Sequence, residues 1–546
     1  MNTKSIIKNE INQVLKKHFN LENVNFSIEY PPQSKMGDYS CNVAMILARL
    51  DSSQARQAKK LKKNPLELAE KIKNFVAPAF RPDINKIEVV KPGFINFYLT
   101  DKFLQKGIKE ILKKKNKFGQ RKADKKLKIQ VEFISANPTG PLTLANGRGG
   151  FSGDVLANVL KLTGHKVERE YYINDIGNQI IKLGHSVLKD DQAEYSGKHI
   201  DELGKSIKEK DPEKIGLKSA QIILKKYIQP TAIKAGIKFD NYFSERKLHE
   251  SGKIDKMFKV LKKKDLVYEK DGAWWLKTSP EISPEISPEK KNDDKDRVLI
   301  KSDKTKTYFL ADIAYHWNKF HDRKFNKVIN LWGADHHGYV ARMKSAMAML
   351  GYPDQLEILL MQMMRLVENG KEKKMSKRAG VYVLLEELID EVGLDVTRFF
   401  FLMHSNNKAM DFDLSLAKEK SKKNPVFYVQ YAHARIFSII KKTSSLSCHP
   451  DESRDLGFHI HKTEKELIKE LIKWPDLILE VAQNYEVHKI CFYSMSLADK
   501  FHDFYENCQV IENNKVNKYR LEIIKATQQV LQNTLSCLGI DAPEKM

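Results

Sequence analysis

The 546-residue chain is 41% hydrophobic and 30% charged, so it can bury several cores and is not disordered throughout. Its lysines and arginines exceed its aspartates and glutamates by 24, which predicts binding to a polyanion. Five scattered cysteines without a Cys-x-x-Cys pair argue against a disulfide framework and a cysteine-built zinc site. No apolar run reaches the roughly 18 residues of a membrane span, and the start does not resemble a secretory signal. We therefore expect a cytosolic protein of about three or four domains.

Residues 1–105 are expected to form a small α+β domain. Apolar residues spaced as on one helix face between residues 6 and 19 predict an amphipathic helix. Two runs within 87–98, separated by a Pro-Gly pair, predict two strands. The lysine-rich stretch that follows, residues 106–126, predicts a solvated basic linker.

Residues 127–423 are expected to form an α/β domain. A strand at 127–134 is followed by a turn rich in Pro, Gly and Asn and then by a helix through 154–162. A second apolar strand, 327–332, is again followed by a helix. Repeated strand, loop and helix units predict a parallel sheet that binds ligands at the carboxyl ends of its strands.

Two polar segments and a helical region complete the chain. A Ser-Pro-Glu repeat and the charged residues after it predict an exposed loop at 279–296 without a catalytic part, since regularly spaced prolines exclude a helix. Residues 424–546 are expected to be helical, with apolar stripes at 467–472 and 521–531 and a basic surface. The polar segment 444–457 predicts a second exposed loop.

The segment from Ser135 to Gly150 is the first that predicts chemistry. It follows a strand and opens a helix, so backbone N–H groups and the positive end of the helix dipole would face an anion. Gly147, Gly149 and Gly150 would let the backbone approach a phosphate. The spacing matches neither the P-loop nor the dinucleotide fingerprint, and an ordinary turn is the alternative for this segment alone.

A second segment, Lys371 to Gly380, places five cations around one acid. A basic loop of this kind suits the charge that develops on a polyphosphate during adenylyl transfer. A solvated basic loop is the alternative.

Together these segments resemble the two signatures of class I aminoacyl-tRNA synthetases. The residues from Thr143 to Asn146 stand where that class has His-x-Gly-His, and Lys374-Met375-Ser376-Lys377 matches the second signature. Within the class, the chain resembles the arginyl-tRNA synthetase family nearly end to end, through the further segments 36–40, 91–96, 333–339, 399–403 and 428–435.

The resemblance implies a Rossmann-like parallel-sheet catalytic domain at 127–423, an α+β N-terminal domain that contacts tRNA, and an all-helical anticodon-binding domain at 424–546. It implies an arginine–tRNA ligase that activates L-arginine with ATP, with Mg²⁺ on the phosphates and no protein-built metal site. Arginine then passes from the adenylate to the terminal ribose of its tRNA, and tRNA is also needed for the first step. We expect a cytoplasmic monomer, because no heptad seam or dimer element is visible.

The resemblance also assigns individual residues by their place in the motifs. The residues expected to bind ATP are Pro141, Thr143, Asn146, Gly147, Lys374, Met375, Ser376 and Lys377. Those expected to act in catalysis are Thr143, Asn146, Lys374 and Lys377. Those expected to bind arginine are Glu132, Ser135, Asn137, Tyr308, Asp312 and His336. Those expected to contact tRNA are Tyr428, Tyr431 and Met546.

Charge supports an arginine pocket independently of the resemblance. A guanidinium is a planar fork of five donors that is best met by carboxylates. Glu132 and Asp312 would supply the two negative charges that suit a substrate with an ammonium and a guanidinium. Tyr308 and Asp312 are four residues apart and therefore share one face of a helix. For Asp312 alone, an ordinary surface acid is the alternative.

The chain departs from the family in its first signature, because Thr143 and Asn146 stand where two histidines are usual. A hydroxyl and an amide can donate hydrogen bonds to a triphosphate but cannot carry a proton charge near neutral pH. Two other functions remain open: a different class I synthetase or nucleotidyltransferase, and a tRNA-binding protein without activity. The intact second signature and the acid pair favour the arginine enzyme.

Overall fold

A computed structural model describes residues 3–50, 64–80, 83–123, 125–278, 295–372, 383–444, 446–448 and 460–546. Residues 279–294, with the Ser-Pro-Glu repeat, lie outside the described residues. The same holds for the second signature, with Lys374, Met375, Ser376 and Lys377. Among the helices that are described, none is long and apolar enough to cross a bilayer.

The N-terminal region consists of helices packed on an antiparallel sheet. Its elements are α1 Thr3–Val14, β1 Ile28–Glu29, β2 Tyr39–Cys41, α2 Val43–Ala48, α3 Pro65–Val76, β3 Ile84–Val90 and β4 Phe94–Leu99. The strand order is β1-β2-β4-β3. The predicted pair of strands is confirmed as β3 and β4, and α1 buries Ile7 and Ile11 of the predicted apolar stripe.

The prediction of a basic linker over 106–126 is wrong for the first half of that range. Helix α4, Asp101–Lys114, covers it and buries Gly107, Ile108 and Ile111. The helix packs against the C-terminal helices, while its lysines lie on the exposed face. The many lysines of this segment favoured the prediction of a linker. Its apolar residues nevertheless have the spacing of a half-buried helix.

The central region is built around one parallel sheet. Its elements are β5 Lys128–Glu132, α5 Leu144–Leu162, β6 Lys166–Ile173, α6 Asn178–Leu188, α7 Lys198–Ser206, α8 Pro212–Ile223, α9 Gln229–Lys234, β7 Asn241–Ser244, α10 Glu245–Glu250, α11 Lys253–Lys263, β8 Val267–Lys270, β9 Ala273–Leu276, β10 Arg297–Ile300, α12 Tyr308–Trp317, β11 Lys327–Gly333, α13 His337–Met349, β12 Leu356–Met361, β13 Met364–Glu368, β14 Lys371–Glu372, α14 Leu385–Val392, α15 Leu394–Leu402, β15 Met410–Asp413 and α16 Leu414–Lys418. The sheet has the order β12-β11-β5-β6-β7 and all its pairs are parallel, which confirms the predicted parallel sheet.

Two small sheets accompany the parallel one. Strands β8, β9 and β10 form an antiparallel sheet, and β13 pairs with β14 and β15. The Ser-Pro-Glu repeat connects β9 to β10. At the described base of this connection, Thr278 donates from its backbone N–H to Asp296 Oδ1 at 2.8 Å and from its hydroxyl to the Lys295 carbonyl at 2.8 Å.

The C-terminal region is a helical bundle with a small sheet. Its elements are α17 Pro425–Thr443, β16 Ser447–Cys448, α18 Lys462–Ile472, α19 Trp474–Asn484, α20 His488–Asn507, β17 Ile511–Glu512, β18 Lys515–Val516 and α21 Lys518–Leu538. The apolar stripes predicted at 467–472 and 521–531 are buried. The prediction of an entirely helical region is wrong in one respect, because β16, β18 and β17 form a sheet in that order. Part of the loop predicted at 444–457 is therefore a strand.

The N-terminal and C-terminal regions contact each other directly. Lys469 Nζ lies 2.8 Å from Asp38 Oδ1 across the junction, which also encloses a cavity of about 270 Å³. Asp476 is 3% exposed at this junction and accepts a hydrogen bond from the Tyr30 hydroxyl at 3.2 Å. Burial raises the pKa of Asp476 to about 6, although the charge of Lys4 opposes the shift.

The Asp476→Asn variant is expected to be more stable than the parent protein at pH 8 and nearly equal to it at pH 4. The pKa of Asp476 lies above its unfolded value of 3.8, so ionisation removes stability as the pH rises through about 6. An amide avoids this cost of about 1–3 kcal/mol, which corresponds to a rise in Tm of about 2 °C. Melting curves across this pH range are the measurement, with Asp265→Asn, a 91% exposed carboxylate, as the control. A lower Tm at pH 8 would contradict the prediction.

Candidate active site

The candidate site lies at the carboxyl ends of the central strands, where ligands bind in parallel sheets. Glu132 is the last residue of β5. In the sheet register it stands opposite Asn330 of β11 on one side and Glu170 of β6 on the other. Acidic and amide side chains therefore meet at the centre of this edge.

Glu132 is 5% exposed and is held by partners at both carboxylate oxygens. Its Oε2 lies 2.5 Å from Lys319 Nζ and accepts a hydrogen bond from the Tyr315 hydroxyl at 2.9 Å. Its Oε1 accepts from the Ser135 hydroxyl at 3.3 Å. These contacts fix the orientation of Glu132 at the floor of the site.

The chain turns sharply after β5. Ile134 and Ser135 have φ angles of +65° and +42°, in the left-handed region, which costs a non-glycine residue about 1–2 kcal/mol. The Ser135 hydroxyl also accepts a hydrogen bond from Tyr172 N at 3.1 Å, and Asn137 beyond it is exposed. Of the two arginine-binding residues predicted in this turn, Ser135 contacts Glu132 and Asn137 faces solvent.

Tyr308 and Asp312 lie on one face of α12, as their spacing predicts. Asp312 Oδ2 accepts a hydrogen bond from the Tyr339 hydroxyl at 2.5 Å. Tyr308 is 67% exposed, and its hydroxyl lies 3.2 Å from the position that a Cβ on Gly177 would occupy. Gly177 has a φ of +85°, so both its backbone conformation and its closeness to Tyr308 favour glycine.

Three carboxylates come together beside α12. Burial, with the charges of Glu245 and Glu132, raises the pKa of Asp312 to about 7 against the opposing effects of Tyr339 and Lys319. Charges shift a pKa in this way only at short range. The charge of Glu132, the other predicted acid, therefore acts on Asp312, and so does that of Glu245, which the sequence analysis did not select. Its signal was its place directly after β7, at the carboxyl end of a parallel strand.

Thr143 and Asn146 stand at the start of α5 and are hydrogen-bonded to each other. The backbone N–H and the hydroxyl of Thr143 both donate to Asn146 Oδ1, at 2.9 and 3.1 Å. Two donors at one atom identify that atom as the amide oxygen, so the Asn146 Nδ2 group points away from Thr143. The Asn146 Nδ2 group is therefore a donor that this helix start can offer to an anion, whereas the backbone N–H groups of Leu144 and Asn146 already donate to carbonyls.

The neighbouring signature residues have structural roles as well. Pro141 lies in the turn before α5 and is partly exposed. Gly147 is buried, and a Cβ there would lie 3.0 Å from Leu385 Cδ1 and 3.2 Å from the Phe401 ring. The lack of a side chain at Gly147 thus allows close packing of α5 against α14 and α15, and the approach of this backbone to a phosphate stays a prediction.

The chain on both sides of the second signature contacts α5. After the signature, Leu144 N donates to the Val383 carbonyl and Leu385 N to the Leu142 carbonyl, both at 3.0 Å. Before it, the carbonyls of Gln362 and Met363 accept hydrogen bonds from the buried guanidinium of Arg148. The same guanidinium also donates to the carbonyls of Ser405 and Lys408, further along the chain. The described flanks of Lys374 and Lys377 are therefore anchored to the first signature helix.

His336 follows β11 at the same sheet edge. Its side chain is 57% exposed, lies 3.5 Å from Asp335, and stands 5.8 Å from the Trp332 ring. These contacts do not link it to Glu132 or Asp312. Within the ranges that the structure describes, no three His, Cys, Asp or Glu side chains are grouped to hold a metal ion.

The predicted tRNA contacts lie together on the C-terminal bundle. The Tyr428 hydroxyl donates to Asp499 at 2.7 Å, and the rings of Tyr428 and Tyr431 stand 5.0 and 6.1 Å from the ring of His502. Tyr431 is 36% exposed and Met546 is 54% exposed. This is a partly exposed aromatic cluster, of the kind on which unpaired bases stack.

Family models cover most of the chain in three consecutive parts. The arginyl tRNA synthetase N terminal domain matches residues 5–99, and the catalytic domain of class I (R) tRNA synthetases matches 107–213 and 205–420. The DALR anticodon binding domain matches 429–546.

Individual proteins agree with the family models. The chain is 41% identical to arginine–tRNA ligase 1 of Halalkalibacterium halodurans, over 95% of this chain and 94% of that protein. It is 39% identical to the arginine–tRNA ligase of Thermotoga maritima, over 99% of both chains. Its fold is similar to that of Thermus thermophilus arginyl-tRNA synthetase, with a TM-score of 0.78 and 22% identity over the full length of both. With its class I catalytic sheet, N-terminal domain and helical DALR domain, the chain belongs to the arginyl-tRNA synthetase family.

Proposed function

We propose that the chain is an arginine–tRNA ligase in which Asp312, Glu245 and Glu132 form the arginine pocket. The observations that carry this proposal are the hydrogen bond from Tyr315 of α12 to Glu132 and the raised pKa of Asp312 on the same helix, to which burial and the charges of Glu245 and Glu132 contribute. Burying like charges together is costly unless a cation joins them. A substrate with a guanidinium and an ammonium supplies two cations, and the partly exposed Asp312 and exposed Tyr308 face it first.

The reaction takes place in two steps. The arginine carboxylate attacks the α-phosphate of ATP, the bond to the β-phosphate breaks, and pyrophosphate leaves. The terminal ribose hydroxyl of tRNA then attacks the carbonyl of the adenylate, and AMP leaves. The residues of this chain contribute by holding the reacting groups in line and by compensating their charge.

The ATP side of the site is assigned to α5 and the second signature. The start of α5 and the Asn146 amide offer donors to the triphosphate, and Lys374 and Lys377 offer positive charge from the adjoining segment. Mg²⁺, when bound to the phosphates, would neutralise part of their charge.

We further assign tRNA as the macromolecular partner. The excess of 24 positive charges supports binding of a polyanion, and the aromatic cluster of Tyr428, Tyr431 and His502 supports contacts with unpaired bases. Met546 lies on the same region, since the Pro543 carbonyl is 2.8 Å from His433 Nδ1 and holds the tail on α17. We expect a cytoplasmic monomer with no membrane partner.

A panel of amino acids in a tRNA-charging assay tests this function. Arginine is expected to be charged, whereas lysine and citrulline, which lack the guanidinium, are expected to be charged at least about 10³-fold less efficiently. The assay measures charging and not pyrophosphate exchange, because the family resemblance implies that tRNA is needed for activation. Charging with a different amino acid would favour another class I synthetase. Binding of arginine and tRNA without release of AMP would favour an inactive tRNA-binding protein.

A further inference from the structure

A buried hydrogen-bonded network lies directly beneath the three carboxylates. Lys319 Nζ contacts Glu132 Oε2 at 2.5 Å and donates to Asn330 Oδ1 at 3.2 Å. The Asn330 amide Nδ2 lies 2.8 Å from His316 Nε2, and His316 Nδ1 lies 2.8 Å from the Asp312 carbonyl. Lys319 and Asn330 are fully buried, and His316 is 2% exposed. The network therefore connects Glu132 to the backbone of Asp312 without reaching solvent.

The donors and acceptors of this network have one consistent assignment. Asn330 Oδ1 must accept from the ammonium of Lys319, so its Nδ2 donates to His316 Nε2. His316 then carries its proton on Nδ1 and donates to the Asp312 carbonyl. Burial lowers the pKa of His316 to about 3, in agreement with a neutral ring. Lys319 is thus the single positive charge of the network.

Other charged and titratable groups lie near these acids. Glu170 is paired with Arg323, and the Tyr315 hydroxyl lies between Glu170 and Glu132. Arg342 stands over the Tyr339 ring at 5.0 Å, and His249 lies 3.7 Å from Glu245. The remaining neighbour is the Tyr172 hydroxyl, which is neutral because burial raises its pKa. Lys319 is the lysine that forms an ion pair with a pocket acid, through Glu132 Oε2 at 2.5 Å.

We propose that Lys319 is a positioning and specificity-determining residue, whose ammonium neutralises one of three carboxylates and leaves the pocket two negative charges for the two cationic groups of arginine. This inference rests on the proposed function. Without Lys319 the pocket would hold three unbalanced carboxylates, and Asp312 would take up a proton near neutral pH. A protonated Asp312 cannot form a charged pair with the guanidinium, so arginine affinity would become dependent on pH.

The Lys319→Met variant tests the proposal, because it keeps the aliphatic chain and removes the ammonium. Arginine binding to the full-length protein is measured by calorimetry from pH 6 to 8.5. In the parent protein, affinity is expected to rise with pH through about 7, where Asp312 ionises. Loss of a nearby cation raises a carboxylate pKa by about one unit. The variant should therefore bind about fivefold more weakly at pH 7 and less than about twofold more weakly at pH 8.5.

Two further variants separate charge from hydrogen bonding and from folding. Tyr315→Phe removes a hydrogen bond from the same Glu132 oxygen without changing charge, so the midpoint of its pH curve should stay at the parent value. The double variant Lys319→Met, Glu132→Gln removes both charges of the pair, and its midpoint should return to within about half a unit of the parent, even if affinity is lower at every pH. The double variant also decides the matter if Lys319→Met alone does not fold.

Each outcome bears on one proposal. A parent protein that binds no arginine at any pH would overturn the proposed function. The role of Lys319 alone would be overturned if the parent binds arginine with a midpoint near pH 7 and the Lys319→Met variant has the same midpoint. It would also be overturned if the weaker arginine binding of Lys319→Met persists at pH 8.5. The role of Lys319 would likewise be overturned if the pH midpoint of arginine binding in the double variant stays at the value for Lys319→Met.

Discussion

The Asp312→Asn variant is expected to lose arginine charging by about 10²- to 10⁴-fold in kcat/KM, and Asp312→Lys is expected to abolish it. Removing one partner of a desolvated charge pair costs about 3–5 kcal/mol, because the remaining charge is left unpaired. In the asparagine variant the unpaired charge is the guanidinium of the substrate. In the lysine variant a second cation repels it. The measurement is tRNA charging with arginine at pH 7.5, with KM for ATP recorded beside it.

Stability distinguishes this loss from misfolding. The pKa of Asp312 is raised from 3.8 to about 7, so ionisation of the folded protein is unfavourable and its cost grows as the pH rises toward 7. Asp312→Asn avoids that cost, and its Tm at pH 8 should equal or exceed that of the parent. The exposed Asp265→Asn serves as the control for both assays and should charge arginine normally. Arginine charging that survives in Asp312→Asn would remove Asp312 from the proposed pocket.

The Asn146→Asp variant is expected to lose ATP use by at least about 10²- to 10³-fold, the usual cost of removing one donor to a developing anion. The substitution keeps the shape of the side chain and an oxygen for the two Thr143 donors. It replaces the Nδ2 donor with a negative charge that would face the triphosphate. The loss should therefore appear in kcat/KM for ATP, measured by tRNA charging over a range of ATP concentrations.

The fold should not suffer from this change. A carboxylate at a helix N-terminus is favoured by the helix dipole by about 0.3–1 kcal/mol, so the Tm of Asn146→Asp should be unchanged or slightly higher. Asn20→Asp, the same change at an exposed position after α1, should leave ATP use as it is. If Asn146→Asp used ATP normally, the helix start would not contact the triphosphate, and the second signature would have to supply the charge compensation alone.

The departure from the usual histidines can be understood from the geometry at α5. Asn146 satisfies the backbone N–H of Thr143, a group that would otherwise lack a partner at the helix start. The same side chain retains an amide N–H₂ group for a ligand. Asn146 thus has two roles: its amide oxygen caps the start of α5, and its amide N–H₂ group is the donor that we propose for ATP.

The sequence alone determined the parts of the protein that depend on neighbours along the chain. The strand at β5, the strand at β11, the pair β3 and β4, and the buried stripes of α18 and α21 were all predicted, because alternating or helical spacing of apolar residues is a local property. The motifs around Thr143 and Lys374 identified the family for the same reason. Local reasoning failed at α4, where charge outweighed a short apolar stripe that is buried only by distant helices.

The tertiary structure alone decided which charges meet. Glu132 comes from β5, Glu245 from α10, and Asp312 and Lys319 from α12 and the helical turn that continues it, and no spacing in the sequence relates these three parts of the chain. They come together because the parallel sheet sets β5, β6, β7 and β11 side by side and gathers their carboxyl ends at one edge. Hydrophobic burial drives that assembly without regard to charge, so the balance of three acids and one buried lysine is visible only once the strands are in register.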